Sequence, residues 1–318
     1  MNWHFLWVAA RYSMRLSVRS WLFRFFIVFS FLGIATYHIV AQSNVVLWNK
    51  SGLITMASFI PYMNAYIYTL LQAFPVIFLV GAFFNQAYRL HSLEVIYARP
   101  ESNAEYIAGH ALGLVGLLLL CGGFFALLGV FVHLFLSAAP FSFYPYLFYL
   151  LTLTFPTLVF VVGLSFFVFA WVRHQGLGLL LLLGYAFFNL FYLGRMGQGV
   201  FDFWGITLPN TFSDITGHPG IGRYLLQRGC WLFIGMGFIG VAIRHFRRLP
   251  NRPHWTAYRT ALSSFFFLIG VCFGGTFYWQ HHRTVMLREV YAEVYNQYNR
   301  SEERRVGKEC RSRWSPYH

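Results

Sequence analysis

The sequence is poor in charged residues, and two of the charged types are almost missing from it. Of its 318 residues only 11% are charged and 58% are hydrophobic, whereas an ordinary soluble domain carries roughly 25% charged residues. The lysines are Lys50 and Lys308, and the aspartates are Asp202 and Asp214. A soluble core of this size could not bury so much apolar surface. The composition therefore predicts an all-α, polytopic transmembrane helical bundle.

Sequence motifs for common enzyme chemistry are also missing. The chain has no GxxxxGK[ST] motif, no HExxH and no CxxC, so it has no P-loop of its own with which to bind and split ATP. His110 and His133 share one apolar run but stand roughly 35 Å apart on a helix, too far to share a metal ion. We therefore predict no catalytic residue, no cofactor and no metal site on this chain.

Glycine-rich stretches within apolar runs predict close helix packing. Residues 235–240, GMGFIG, formally fit the GxGxxG pattern of dinucleotide sites, but no strand precedes them. Packing through Gly235, Gly237 and Gly240 is the better interpretation. Residues 109–113, GHALG, have the small-xxx-small spacing that supports helix packing or dimerisation.

Apolar runs of about 20 residues predict the membrane spans. They predict about seven, near residues 21–41, 67–86, 108–136, 146–172, 176–193, 229–246 and 261–280. Pro156 predicts a bend in the fourth. Before the first span, residues 1–20 place Arg11, Arg15 and Arg19 on one helical face. This favours an interfacial amphipathic helix, with a cytoplasmic start to the first span as the alternative.

Arginines predict the orientation, because cytoplasmic loops carry an excess of basic residues. With a cytoplasmic N-terminus, the inner segments hold twelve arginines and the outer loops before the last span hold four basic residues. The twelve are Arg11, Arg15, Arg19, Arg24, Arg89, Arg99, Arg173, Arg244, Arg247, Arg248, Arg252 and Arg259; the four are Lys50, Arg195, Arg223 and Arg228. Because the arginines flank apolar runs, the net charge of +14 indicates membrane topology and not nucleic-acid binding.

The predicted domains follow from these spans. Residues 21–246 form a six-span unit, residues 247–280 a basic cytoplasmic loop with the seventh span, and residues 281–299 the helical start of an outside segment. The outer loop 194–228 either dips into the outer leaflet and returns or is simply exposed. The final residues 300–318, RSEERRVGKECRSRWSPYH, resemble the translation of a sequencing adapter. We expect them to be an artefact that replaces the natural C-terminus of a larger protein.

A compact polar segment, residues 87–107, interrupts the apolar runs on the cytoplasmic side, and we call it the elbow. Pro100 ends any helix that enters it, and Ser102-Asn103-Ala104-Glu105 matches a capping box that starts the next helix. Glu94 can pair with Arg89 or Arg99. A short helix, a turn and a restart suit the docking of a soluble partner; the alternative is an ordinary helical hairpin.

The order of these features resembles the permeases of the ABC transporter type-2 export class. The resemblance covers residues 1–246 and includes the RP-x-S-N-x-E-Y-x-x-G pattern of residues 99–109. It implies that Leu93, Glu94, Val95, Ile96 and Tyr97 form the coupling helix held by the ATPase. Arg99, Pro100, Ser102, Asn103, Glu105, Tyr106 and Gly109 form its exit. The seventh span departs from the six-span unit and resembles larger permeases.

The resemblance implies a transport subunit, not an enzyme. Its partners would be a separate ABC ATPase subunit, the lipid bilayer and a second permease unit in a homo- or heterodimer. It would sit in the bacterial cytoplasmic (inner) membrane and export a hydrophobic or amphiphilic substrate.

Two alternatives stay open. One is a membrane enzyme acting on lipid, which needs polar residues clustered at one membrane depth, and none is evident in the sequence. The other is an anchor for a lost extracytoplasmic, possibly peptidase-like, domain.

Overall fold

The chain is helical in the computed structural model, which describes residues 2–42, 58–88, 102–137, 140–172, 174–208, 210–212, 217–218, 220–246 and 256–313. The helices are α1 (Trp3–Arg19), α2 (Trp21–Gln42), α3 (Phe59–Ala87), α4 (Asn103–Leu136), α5 (Tyr144–Tyr149), α6 (Phe155–Val172), α7 (Gln175–Phe191), α8 (Ile221–His245) and α9 (Thr256–Arg313). A π-helical turn, Leu150–Thr154, joins α5 to α6, and a 3₁₀ helix, Leu193–Gly199, follows α7. Within these residues there is no β-strand, so the all-α prediction is confirmed.

Six helical segments are long and apolar enough to cross a membrane, which makes the chain a multi-pass membrane protein. They are Trp21–Val40, Phe59–Ala87, Asn103–Leu136, Tyr144–Val172, Ile221–His245 and Thr260–Tyr298. The remaining apolar helix, α7, has 17 residues, or roughly 26 Å. It lies where the sequence predicts a fifth span, at the lower limit of the usual length for a spanning helix.

The helices run between two ends of one bundle, which we name by their residues. At the proximal end, the backbone N–H of Asn2 donates to the Glu105 carboxylate (2.5 Å) and Asn103 Nδ2 donates to the carbonyl of Phe246 (2.8 Å). At the distal end, Ser58 Oγ donates to the carbonyl of Phe212 (2.6 Å). Helices α2, α4 and α9 therefore lead from the proximal to the distal end, and α3, α6 and α8 lead back.

Glycines bring α8 close to two neighbouring helices, α6 and α9. A Cβ at Gly235 of α8 would lie 2.6 Å from the Phe160 Cα of α6, so α8 has no room for a side chain at this position. Gly237 lies against the Phe267 ring of α9, and Ser263 Oγ donates to the Gly237 carbonyl (2.8 Å). The predicted packing role of residues 235–240 is confirmed.

Gly109 and Gly113 also serve helix packing, and their partner is α1. A Cβ at Gly109 would lie 2.6 Å from the Ala9 Cβ, and one at Gly113 would collide with the backbone of Ala10. The buried face of α1 accordingly consists mostly of small residues: Leu6, Ala9, Ala10, Ser13 and Ser17. The arginine row of α1 (Arg11, Arg15, Arg19) is exposed, on the opposite face of the helix.

The fourth span is irregular close to Pro156, where the sequence predicts a bend. The π turn ends at Thr154, two residues before the proline. Proline lacks an N–H and its ring clashes with the carbonyl four residues earlier, so a wider turn at this position relieves both problems. Gln72 Nε2 of α3 donates to the Thr154 carbonyl (3.3 Å), which gives this carbonyl of the irregular turn a partner.

Several predicted boundaries are wrong. Helix α3 begins at Phe59 instead of residue 67, and α8 begins at Ile221 instead of residue 229, so residues 221–228 are helical and not loop. Helix α9 begins at Thr256 and continues unbroken to Arg313, across the boundaries expected after residues 280 and 299. An apolar run marks only the part of a helix that contacts lipid. The helix itself extends further, for as long as its backbone hydrogen bonds continue.

Candidate partner interface and buried polar core

The elbow is the predicted partner interface, and the structure describes its base. Leu93, Glu94, Val95, Ile96, Tyr97, Arg99 and Pro100 lie outside the described residues. At the base, Glu105 N donates to Ser102 Oγ (3.2 Å) and Ser102 N donates to Glu105 Oε2 (2.9 Å). This reciprocal pair is the capping box that the sequence predicts. Its role in partner binding stays a prediction.

Both ends of the elbow attach to one aromatic cluster. Tyr88, at the end of α3, and Tyr106, in the first turn of α4, each pack on Phe246, with ring centroids 5.9 and 5.8 Å apart. Phe246 is 1% exposed and follows α8 directly. Phe84 also contacts it, at 5.9 Å. The chain on either side of the elbow is thereby fixed to α3, α4 and α8 together.

The capping box also ties α1 to this cluster. Glu105 is 7% exposed and accepts from Ser102 through one carboxylate oxygen and from Asn2 through the other. Asn103, beside it, donates to the Phe246 carbonyl. Four helices thus meet at the base of the elbow, and the exposed arginines of α1 and Arg244 at the end of α8 give this end of the molecule a positive surface.

A groove of about 290 Å³ opens beside the base, between α1, α3, α4 and α6. Polar side chains that line it include Ser13, Ser17, Arg19, Gln86 and His110, and apolar ones include Leu79, Val80, Phe83, Leu114 and Phe166. A groove lined by both kinds of side chain suits a ligand with a polar and an apolar part.

The outer loop enters the bundle at the distal end. Phe203 and Trp204 are 1% and 2% exposed, and the Phe203 ring lies 5.0 Å from that of Phe160. Phe160 lies about sixteen residues into the segment Tyr144–Val172, or roughly 24 Å from its start. These two residues of the loop are therefore packed inside the helical bundle, and re-entry of the loop into the outer leaflet stays a prediction.

Buried side chains satisfy the backbone of the inward loop. Arg228, 1% exposed, donates from Nη2 to the carbonyl of Asp202 (2.7 Å) and from Nη1 to that of Phe203 (3.1 Å). Gln227 Nε2 donates to the Gly199 carbonyl (2.7 Å), and Asn189 Nδ2 donates to that of Phe201 (2.7 Å). Irregular backbone at membrane depth requires such cover from the protein.

The two charged groups of this polar core are fully engaged. Asp202 is 1% exposed and accepts from Gly205 N (2.9 Å), Thr207 N (2.7 Å) and Thr207 Oγ1 (2.7 Å). The Arg228 guanidinium also donates from Nε and Nη2 to Gln227 Oε1 (3.0 and 2.8 Å). Neither group presents a free face to a substrate, so this arrangement holds the loop and has no evident catalytic use.

Sequence reasoning missed this polar core. It placed Arg228 in the outer loop, whereas the residue is buried in α8, and it did not find the hydrogen bonds of Gln227 and Arg228 with the loop. The available signal was the adjacent Gln227 and Arg228 directly before an apolar run. Asp214, the other aspartate, lies outside the described residues. Among the described residues, no three histidine, cysteine, aspartate or glutamate side chains lie together as a metal site would require.

No known protein family matches the sequence, and no curated protein does. The resemblance to type-2 ABC permeases therefore rests on the order of the helices and on the residues of the elbow.

Proposed function

We propose that the chain is the membrane-spanning permease subunit of an ATP-driven exporter of the ABC type-2 class, which works with a separate ATPase subunit. The observation that carries this proposal is the construction of the elbow base. Tyr88 and Tyr106, on either side of the elbow, share one partner, Phe246 of the α8 end. A protein that pushes on the elbow would act on three membrane helices at once.

The positions of the arginines support a cytoplasmic proximal end. Arg11, Arg15, Arg19 and Arg24 are exposed near this end, as is Arg244, and basic residues favour the cytoplasmic side. At the distal end, Arg228 is buried in protein, and Arg195, Arg283 and Arg288 are exposed. Among the described side chains, the excess of exposed arginines therefore lies at the proximal end, five against three. The N-terminus is then cytoplasmic, and the elbow faces the compartment in which ATP is hydrolysed.

The alternating helix directions support seven crossings. Helix α6 ends near the proximal end, where the Phe169 ring contacts Gly178 of α7, and α8 begins at the distal end. Helix α7, with the 3₁₀ helix after it, must carry the chain from one end towards the other. Its 17 residues suffice for a thin or locally compressed hydrocarbon layer.

The mechanism follows from the absence of a P-loop in the chain and from the rigid base of the elbow. ATP binding and hydrolysis take place on the partner, whose movement pushes the elbow. The cluster around Phe246 passes that movement to α3, α4 and α8, so the permease unit tilts against a second one and opens a path between them. The groove beside α1, which polar and apolar side chains line together, favours an amphiphilic cargo.

Labelling the elbow tests the orientation on which this function depends. A Tyr97→Cys variant, with the native cysteines replaced by serine, is exposed to a membrane-impermeant maleimide in intact cells. The matched control is Val290→Cys, because Val290 is 57% exposed at the far side of α9. We expect Val290→Cys to react in intact cells and Tyr97→Cys to react only after the membrane is opened. The reverse pattern would refute the exporter.

Co-purification tests the partner itself. We expect an ATPase to remain with the wild-type chain in mild detergent and to be lost from a Glu94→Ala/Tyr97→Ala variant. The control is Glu289→Ala, an exposed carboxylate on α9 at the other end of the bundle, which should keep the ATPase. If the elbow variant keeps the ATPase as well, the elbow is not the docking element.

A further inference from the structure

A cavity of about 270 Å³ lies at the distal end, between the outer loop, the start of α8 and the middle of α9. Arg223 of α8 and Arg288 of α9 both line it, together with His281 and the hydroxyl-bearing Thr207 and Thr284. Arg223 Nη1 donates to Thr284 Oγ1 (3.2 Å), which holds the guanidinium at the wall of the cavity. Two separate helices thus bring positive charge to one space.

No carboxylate among the described residues lines this cavity to balance the two arginines. Asp202, the acidic residue that the structure describes in the outer loop, does not line the cavity, and its oxygens accept from Gly205 and Thr207. Like charges held at one site repel one another, and the repulsion is relieved when an anion binds between them. Guanidinium groups are also the side chains best matched to phosphate, to which they donate two parallel hydrogen bonds.

Two further features favour an anion in the same cavity. Gly220, the residue that caps the start of α8, lines it without any side-chain cap, and the first turn of α8 holds no acidic residue. The positive end of the helix dipole is therefore not neutralised by the chain. In addition, His281 lines the cavity, and the chain gives its buried Nδ1 no hydrogen-bond partner.

We propose that this cavity binds a phosphate group, either free as a small phosphate compound or carried by a lipid head group. Its volume is below the usual range of roughly 300–1,000 Å³ for drug-sized ligands, so it holds the phosphate and the few atoms attached to it but no acyl chain. The site lies at the other end of the bundle from the elbow. The proposal of a phosphate site therefore does not depend on the proposed transport function.

Binding to the full chain in phosphate-free surroundings tests the proposal and separates the two phosphate sources. The chain is held in maltoside micelles without phospholipid, and inorganic phosphate and glycerol 3-phosphate are titrated by calorimetry against a chloride control. In a second arm, the thermal midpoint is followed as phosphatidylglycerol is added to the micelles, with the phosphate-free glycolipid monogalactosyldiacylglycerol as the matched lipid. Saturable binding in the first arm indicates a free phosphate compound, and a rise of the midpoint in the second alone indicates a lipid head group. Either result supports the site.

The variants decide whether the cavity is responsible. Arg288 is exposed, so Arg288→Gln leaves the bond from Arg223 to Thr284 in place and should fold normally, which its thermal midpoint without phosphate checks. A lost charge-assisted hydrogen bond should weaken binding at least about tenfold. Arg283→Gln is the matched control, because Arg283 is exposed on the same helix and lies over the Trp279 ring (5.9 Å), away from the cavity. The proposal is overturned if wild type responds to neither phosphate source, or if both variants weaken binding equally.

Discussion

The two ends of the bundle differ in whether a buried arginine holds the fold. At the proximal end, Arg11, Arg15 and Arg19 are exposed, and the elbow base is held by aromatic packing and a capping box. At the distal end, Arg228 is buried and its hydrogen bonds hold a loop that enters the bundle. Exposed arginines near the ends of membrane helices indicate the orientation of the chain in the membrane. A buried arginine instead stabilises the fold through its hydrogen bonds.

The contrast also concerns what surrounds the backbone at each end. Tyr88 and Tyr106 fix the elbow from its two sides by ring contacts with Phe246. In the distal loop, backbone carbonyls are satisfied by the side chains of Asn189, Gln227 and Arg228. We therefore expect the distal end to be more sensitive than the proximal end to the loss of one polar side chain.

Removal of the buried guanidinium should have the largest effect. Arg228→Met leaves Gln227 Oε1 without its donor and removes one of two donors from each of the carbonyls of Asp202 and Phe203, which keep Gln227 and Thr157. The loss of these charge-assisted hydrogen bonds should reduce the free energy of unfolding by about 3–5 kcal/mol. Thermal unfolding in detergent measures it. The control is Arg195→Met, since Arg195 is exposed at the same end, and it should change stability by less than about 0.5 kcal/mol. Equal midpoints for the two variants would show that the polar core is unimportant.

The contact between α6 and α8 lies between the two ends and should be next in sensitivity. Gly235→Ala places a methyl group 2.6 Å from the Phe160 Cα, and the resulting overpacking should cost about 1–3 kcal/mol. Gly275→Ala is the matched control, because a Cβ there meets nothing within 4 Å, and alanine favours a helix over glycine. Unfolding by heat compares them, and a Gly235→Ala protein as stable as Gly275→Ala would contradict the close contact.

Sequence patterns predicted the features that depend on neighbouring residues. Ser102 and Glu105 are three residues apart, so their capping box can be read directly from the chain, as can the apolar runs and the packing of Gly235. The polar core could not be predicted in this way. Gln227 bonds to Gly199, 28 residues away, and the sequence does not say which loop carbonyls reach it. The predicted start of α8 is wrong for the same reason, because the sequence does not show that Arg228 has hydrogen-bond partners inside the bundle.

At the proximal end, loss of the cap should have a moderate effect. Ser102→Ala removes the acceptor for the backbone N–H of Glu105 (3.2 Å), and the loss of such a cap typically costs about 1 kcal/mol. Ser102→Asp restores an acceptor and should recover most of the stability. Urea unfolding of the three proteins measures the difference. If Ser102→Asp is no better than Ser102→Ala, the cap is not what stabilises the base of the elbow.

Acidification should affect the distal end only, with the smallest effect of the series. His218, in the outer loop, stacks on Phe148 (3.9 Å) and bonds to Asn210 Oδ1 (2.5 Å). Burial lowers the pKa of His218 from 6.5, and the bond to Asn210 partly opposes this. Because the unfolded chain binds the proton more readily, the stability contributed by neutral His218 is present above pH 6.5 and is lost as the pH falls below it.

Thermal midpoints at pH 7.5 and 5.5 should differ more for wild type than for His218→Gln. His245, exposed at the proximal end, provides the control, because His245→Gln should retain the wild-type difference. Equal pH responses from wild type and His218→Gln would place the acid-sensitive group elsewhere.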